Sequence, residues 1–369
     1  MIRIAFAGTG NIARVHARAL AGPVADGTAS LVAATDADAR TLASFAVEFG
    51  IRRTYPSLAD LLAREQVDLV HLCTPPGTHH PLALACLRAG TSVLVEKPPA
   101  ISLREFDEIT TAGGPPWLAT VFQHRFGPGQ LRLKALASQP GGQPGSGRLG
   151  RPLLAICHTT WYRDQAYFDV PWRGRWETEG GGPTMGHGIH QMDMLADVLG
   201  DWAQVSAITR TQARRLPTED VSLAHVTFAS GAVASIVNSV LSPREESYLR
   251  FDFEHATVEV SHLYGYADDD WRVTPAQGHE DVLDAWKQAI PAAGPEAEAR
   301  SGHAGQFRAV LAALAAGQAP PVAPADARRT LSLVAAIYAS AFTGRPVTPR
   351  DLAPGTPFYA SMNGSHAQP

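Results

Sequence analysis

Cysteine is scarce in this chain: 3 among 369 residues. Cys73, Cys86 and Cys157 are an odd number without metal-finger spacing, which excludes a disulfide framework and fits a reducing compartment, so the cytoplasm is the expected location. An excess of one charge is also missing. Lys+Arg 31 against Asp+Glu 35 leaves a net charge of -4, so no basic field gathers nucleic acid or an acidic membrane. No apolar run approaches the roughly 18 residues of a spanning helix. The closest, Leu333 to Phe342, is interrupted by Tyr338 and Ser340. Met1 to Ala7 lacks a basic n-region and a long apolar h-region, so no signal peptide is expected. What is present is ordinary globular composition, 45% hydrophobic and 18% charged. At about 150 residues per domain, the length implies two or three domains, and the near-balanced charge fits a small neutral or weakly charged ligand.

The first third alternates short β-branched runs with helical patterns, as parallel strands joined by crossover helices do. Strands are expected at Ile2 to Ala7, Ser30 to Thr35, Asp68 to Cys73, Ser92 to Val95 and Trp117 to Phe122. Helices are expected near Ile12 to Ala21, Leu58 to Arg64, Pro81 to Ala89 and Leu103 to Thr111. The run SQPGGQPGSGR at 138–148 reads as a loop. Beyond it, Leu153 to Trp161, Val205 to Thr211, Ser222 to Phe228, Val233 to Leu241 and Tyr248 to Val260 form consecutive strand candidates, a pattern of a mainly antiparallel sheet. Helical patterns at His190 to Leu199, Ala304 to Ala316 and Ala325 to Phe342 cover one face, and the other needs a partner. The tail from Gly364 to Pro369 is expected to fray.

Gly8-Thr9-Gly10-Asn11-Ile12-Ala13 follows the first strand and opens the first helix, where backbone approaches a pyrophosphate at a helix N-terminus. Asp36 closes the second strand, placed for a carboxylate to accept from adenosine ribose hydroxyls. NAD is therefore expected over NADP, with Arg40 a partial counterweight. The structural alternative for Asp36 is a helix cap.

Thr74-Pro75-Pro76-Gly77-Thr78-His79 and Val93-Leu94-Val95-Glu96-Lys97-Pro98 follow the next two strands. Phe122-Gln123-His124-Arg125-Phe126, Trp172-Arg173, Gly180-Gly181-Gly182 and Gly188-Ile189-His190-Gln191-Met192-Asp193 come later in order. With these motifs the chain resembles the glucose-fructose oxidoreductase/inositol dehydrogenase/MocA family, Glu-Lys-Pro being the most specific mark. The resemblance implies a doubly wound Rossmann domain over residues 1–125. It implies for residues 126–369 an α+β domain with a large open, mainly antiparallel sheet that binds substrate and oligomerises, giving a homodimer or homotetramer. Carried over by residue, Gly8, Thr9, Gly10, Asn11, Ile12 and Asp36 hold the dinucleotide. Thr74, Pro75, His79, Glu96, Lys97, Gln123, Trp172 and Arg173 line the path to its nicotinamide. Lys97 resembles the catalytic lysine at the reacting oxygen, and His190 the acid/base. Imidazole titrates near neutrality and an ammonium stabilises a developing alkoxide, so both types suit hydride transfer from a secondary carbinol. Pro98 fixes the backbone beside them, in a context that admits a cis bond.

One departure stands out. Many relatives carry Asp four residues before the histidine, and here that position is Gly186, followed by His187. We expect His187 to enter the site. The spacing of His187, His190 and Asp193 imitates a metal set, but no metal is expected, since His187 precedes Gly188 outside the helix and Asp193 favours the helix's positive end. His79 and His80 are expected to shape the cofactor pocket. The segment Tyr162 to Trp176 mixes aromatics with arginines, so Tyr162, Arg163, Tyr167 and Arg125 join Lys97, His187 and His190 as substrate candidates, with plain loop packing as the alternative. The expected activity is NAD-dependent oxidation of a sugar, inositol or related polyol. The rival readings are a hydrolase or epimerase that cycles a bound NAD, and a non-catalytic nucleotide sensor.

Overall fold

The computed structural model describes residues 1–111, 114–138, 142–289 and 300–364. Most of the expected tail, and residues 139–141 of the expected loop, lie outside them. Two compact units emerge: Met1–Ala100, Glu105–Phe122 and His303–Ala327 in the first, and Ile101–Arg104, Gln123–Gly302 and Arg328–Pro369 in the second. The division expected at residue 125 therefore gains a return crossing. The helix His303–Ala315 buries Phe307, Val310 and Leu311 in one core with Phe6, Phe45 and Leu94, which ties it to the first unit.

In the first unit β1 (Ile2–Ala7), β2 (Ala29–Thr35), β3 (Arg53–Tyr55), β4 (Leu69–Leu72), β5 (Ser92–Val95) and β6 (Leu118–Thr120) form one sheet in the order β3-β2-β1-β4-β5-β6. All pairings are parallel. Strands β4 and β5 are buried throughout, as a sheet covered on both faces requires. Three elements exceed the sequence expectation, the short helix Ala21–Ala25 among them. The edge strand β3 is largely exposed and so carries no hydrophobic signal. The helix Ala39–Phe49 buries Leu42 and Phe45, and is capped by the Asp38 side chain and by Gly50 in the left-handed region. Asp38, not Asp36, is thus the cap. The order reverses between β1 and β4, and ligands of such sheets bind beyond the carboxyl ends of the strands at that point.

In the second unit β7 (Pro152–Tyr162), β8 (Trp202–Arg210), β9 (Val221–Phe228), β10 (Val233–Ser239), β11 (Leu241–Phe253), β12 (Ala256–His262) and β13 (Trp271–Pro275) order as β13-β12-β11-β7-β10-β9-β8. Only β7 and β10 pair in parallel, so the sheet is mainly antiparallel as expected. The expected single strand Tyr248 to Val260 is two strands, because the chain turns at Glu254 and His255 and pairs with itself. Burial alternates along β9, and the helix Ile189–Leu199 is buried at ten of its eleven positions. The opposite face of the sheet carries exposed Ile208 and Leu223, which pair across β8 and β9.

Candidate active site

Strands β1, β4 and β5 are neighbours, so their carboxyl ends bring three of the expected motifs together within the first unit. Gly8 adopts φ +84, and a Cβ there would meet the Cys73 carbonyl oxygen at 2.6 Å, so only glycine fits between β1 and β4. Gly10 ends the turn as the N-cap of the helix Asn11–Ala19, with open space where its Cβ would stand. Asp36 fixes the turn, since its Oδ2 accepts from Thr9 N at 2.6 Å and from Thr9 Oγ1 at 2.9 Å. A bare helix N-terminus, a glycine-wide approach and a fixed carboxylate at the end of β2 together fit a dinucleotide with a free adenosine ribose.

His79 is fully buried and spends its ring on the main chain, with Nδ1 2.8 Å from Pro98 O and Nε2 2.8 Å from Thr74 O. Burial lowers its pKa against these two carbonyls, which raise it. It therefore joins the loop after β4 to the loop after β5, where the Lys97-Pro98 bond is cis. His80 pairs with Glu108 at 2.9 Å. Lys97 is half-buried, and its backbone N–H donates to Glu96 Oε2 at 3.1 Å.

Behind Glu96 lies a buried group that the sequence did not disclose as one. His16 Nε2 is 2.8 Å from Glu96 Oε1, and His16 Nδ1 is 3.1 Å from His71 Nδ1. His303 Nε2 is 3.9 Å from the same Glu96 oxygen. Burial holds His16 down to about 3 and His303 to about 4, so both are neutral imidazoles near neutrality. Burial also pushes the Cys73 thiol well up, so it is no nucleophile. Atoms of His16, Glu96 and His303 lie within 4.8 Å of one another, the one grouping of metal-ligating type among the described residues. Its short contact is a hydrogen bond that anchors Glu96.

In the second unit the triple-glycine segment delivers the histidines. Glu219 Oε2 accepts from Gly182 N at 3.1 Å, and its Oε1 from Thr184 N at 3.0 Å and the Tyr338 hydroxyl at 2.9 Å. A Cβ on Gly181 would collide with that hydroxyl, one on Gly182 with Glu219 O, and one on Gly188 with the Asn238 amide. The segment is thereby clamped against β9 and β10, and the helix starting at Ile189 presents His190. The His190 ring centre is 5.4 Å from His124 and 6.1 Å from Tyr264. His187 joins from the other side, 5.2 Å from the Trp161 ring, with Nε2 3.3 Å from the Tyr167 hydroxyl. Gln123 is buried and its amide donates to the Tyr264 hydroxyl.

Several expected residues sit elsewhere. Arg125 is buried, with Nε and Nη2 each 2.6 Å from Asp193 and Nη1 3.0 Å from Asp197. Its guanidinium is committed to the fold, and Asp193 is its counterion instead of a helix-dipole partner. Tyr162 follows Trp161 on β7 and so faces the other side of the sheet, against Arg214 at 5.2 Å. Trp161, His124 and Tyr264 take the places that sequence reasoning missed. Tyr264 lies in the stretch that matched no motif, and its only signal was the pair Tyr264-Gly265-Tyr266. At Gly186 a Cβ would stand 3.1 Å from Glu179 Oε1, so a buried carboxylate from another segment lies against the position that lacks one.

Comparison with known proteins agrees with these motifs. A family model described as an oxidoreductase family with an NAD-binding Rossmann fold matches residues 2–113, and one for the GFO/IDH/MocA C-terminal domain matches residues 145–259. The chain is 26% identical over 348 residues to the D-apiose dehydrogenase of Paraburkholderia graminis, covering 91% of this chain and 87% of that one. It is 26% identical to the D-glucoside 3-dehydrogenase of Escherichia coli, over 71% of this chain and 78% of that one. The WlbA dehydrogenase of Bordetella pertussis, solved with NADH and UDP-GlcNAcA, superposes with a TM-score of 0.80 at 28% identity, covering 94% and 97% of the two chains.

Proposed function

Since the chain belongs to the GFO/IDH/MocA oxidoreductase family, we propose that it is an NAD-dependent dehydrogenase acting on a secondary hydroxyl of a sugar, inositol or related polyol. The observation that carries this reading is the convergence of the Gly8–Gly10 turn, the Asp36-held Thr9 and the Glu96-Lys97-Pro98 loop at one end of the parallel sheet. The sugar and polyol dehydrogenases among its relatives support the substrate class. NAD, when bound, supplies the hydride acceptor at its nicotinamide. Gly8, Thr9, Gly10, Asn11 and Ile12 present main chain to its phosphates, while Asp36 accepts from the ribose and repels a 2′-phosphate. The resemblance assigns Thr74, Pro75, Gln123, Trp172 and Arg173 to the cofactor, and His79 sets the two loops that carry Thr74 and Lys97.

Lys97 hydrogen-bonds the reacting oxygen and its positive charge stabilises the alkoxide as it forms. An imidazole nitrogen of His190 takes the hydroxyl proton, and His124 and Tyr264 wall its ring. His187, Tyr167 and Arg163 contact the sugar. We place the protein in the cytoplasm, in keeping with three buried free cysteines. The exposed apolar row through Ile208 and Leu223 supports a homodimer or homotetramer closed over the sheet face, and a monomer in light scattering at micromolar concentration would sink that assignment.

The test mixes purified protein with NAD and a panel of sugars, sugar acids and inositols, following nicotinamide absorbance and product mass together. Substrate-dependent NADH, lowered at least a hundredfold by Lys97→Ala and by His190→Ala, is the expected result. Altered sugar without net NADH would instead mark a hydrolase or epimerase that recycles its cofactor.

A further inference from the structure

Three imidazoles lie inside the core of the first unit, in surroundings that phenylalanine would fill as well. The ring centres of His16, His71 and His303 stand 4.7, 4.9 and 5.7 Å from that of Phe307. His16 and His71 are fully buried and His303 nearly so. Burying an imidazole costs free energy unless its nitrogens are used. Two of the three turn a nitrogen toward one atom, Glu96 Oε1, with His16 Nε2 at 2.8 Å and His303 Nε2 at 3.9 Å. The other oxygen of that carboxylate, Oε2, accepts from the Lys97 backbone N–H at 3.1 Å.

The proton positions follow from one contact to the next. An ionised carboxylate only accepts, so His16 carries its proton on Nε2 and its Nδ1 is a bare acceptor. His71 Nδ1, 3.1 Å away, then holds the proton that it donates, and the Cys73 thiol, with Sγ at 3.3 Å, is a second, weak donor to the same nitrogen. His71 Nε2 is left bare, and it has no hydrogen-bond partner among the described residues. A fold tolerates an unfilled acceptor more readily than an orphan N–H, so this end of the series is the cheaper one. His16 lies on the helix Asn11–Ala19, so one hydrogen bond joins the helix that opens at Gly10 to the loop that carries Lys97.

We propose that His16 is a positioning residue for Lys97: its Nε2–H holds one oxygen of Glu96 so that the other can hold the Lys97 amide, and His71 keeps His16 in the tautomer that does so. This rests on the dehydrogenase reading for what Lys97 does to the substrate, whereas the hold on its amide is a property of the loop itself.

The test compares the parent with His16→Phe, which keeps the ring and loses the donor, and with His16→Gln, whose amide N–H stands near the place of Nε2. Hydrogen exchange at the Lys97 amide, followed by NMR, should be at least tenfold faster in His16→Phe and return toward the parent rate in His16→Gln. With NAD and whichever of D-glucose, D-glucuronate and myo-inositol the parent oxidises fastest, kcat should fall at least tenfold in His16→Phe and recover in part in His16→Gln. The NADH dissociation constant should stay within threefold in both. His71→Phe should show the same changes in weaker form, and it decides the matter if His16→Phe does not fold. Unchanged exchange at Lys97, a glutamine variant no better than the phenylalanine one, or weaker NADH binding with kcat intact overturns the proposal. Oxidation of none of the three compounds by the parent would count against the dehydrogenase reading, and the exchange rates would then decide the positioning role by themselves.

Discussion

Replacing Arg125 separates a structural role from a substrate-binding one. Arg125 makes two hydrogen bonds of 2.6 Å to Asp193, which is 1% exposed, and Thr330 Oγ1 donates to the same carboxylate at 2.8 Å. Charge-assisted hydrogen bonds contribute about 1.5–3 kcal/mol each, and removing one partner of a buried pair costs about 3–5 kcal/mol. Asp197 loses less, because Lys134 remains at 2.6 Å. Arg125→Met should therefore destabilise the second unit by about 3–5 kcal/mol in urea unfolding followed by tryptophan fluorescence. Arg125→Met with Asp193→Leu should recover at least half of that, since no buried charge is then stranded. The pH dependence has a definite sign. Burial raises Asp193 even beside Arg125, and removing the guanidinium raises it further. A carboxyl whose folded pKa exceeds its unfolded value binds more protons when folded, so its contribution to stability falls as pH rises through that window. The deficit of Arg125→Met should shrink between pH 7 and pH 5. A variant within about 1 kcal/mol of the parent that instead raised KM for the sugar would refute this placement and return Arg125 to the substrate.

Two further outcomes follow from the first unit. Gly8→Ala combines a positive φ with a Cβ 2.6 Å from the Cys73 carbonyl, so the turn must move; NAD affinity should fall at least tenfold in fluorescence titration, and an unchanged affinity would show that the turn does not hold the cofactor. Burial depresses His16 and His303 to about 3 and about 4, so the unfolded chain binds more protons below pH 6.5 and stability is lost as pH falls from there toward 4. Asp193 and Glu219, both raised by burial, act in the opposite direction, so the comparison should be with His303→Phe, whose acid loss should be smaller by several kcal/mol at roughly 1.4 kcal/mol per pKa unit. Equal acid profiles for the two proteins would contradict this.

The parallel sheet was legible because β1, β4 and β5 are buried runs that end in motifs of fixed chemistry, and the order of those motifs along the chain is their order along the sheet edge. The edge strand β3 left no trace, since an exposed strand has no hydrophobic period to read. The return of His303–Ala315 to the first unit was equally invisible, because its apolar positions specify a buried face without saying which core receives it. Arg125 misled for a related reason: an arginine beside a motif looks like a ligand until a carboxylate 68 residues away is brought onto it by folding. Tyr162 misled because a strand sends neighbouring side chains to opposite faces, and Trp161 took the inward one.

Gly186 shows how much a single position conceals. Sequence alone presents it as a lost carboxylate, with His187 as the only nearby compensation. The fold gives it another meaning, since Glu179 is buried with Oε1 3.1 Å from where a Cβ at 186 would stand. A side chain at 186 would press on the Glu179 carboxylate, which would have to give by a few tenths of an ångström, so the glycine leaves room for the glutamate. A buried carboxylate thus stands against residue 186, supplied by the loop that also carries Arg173. Glu179 also acts on Arg173 through space, raising its pKa against the burial that lowers it. A side chain at residue 186 would therefore shift the Glu179 carboxylate and be felt at Arg173 as well.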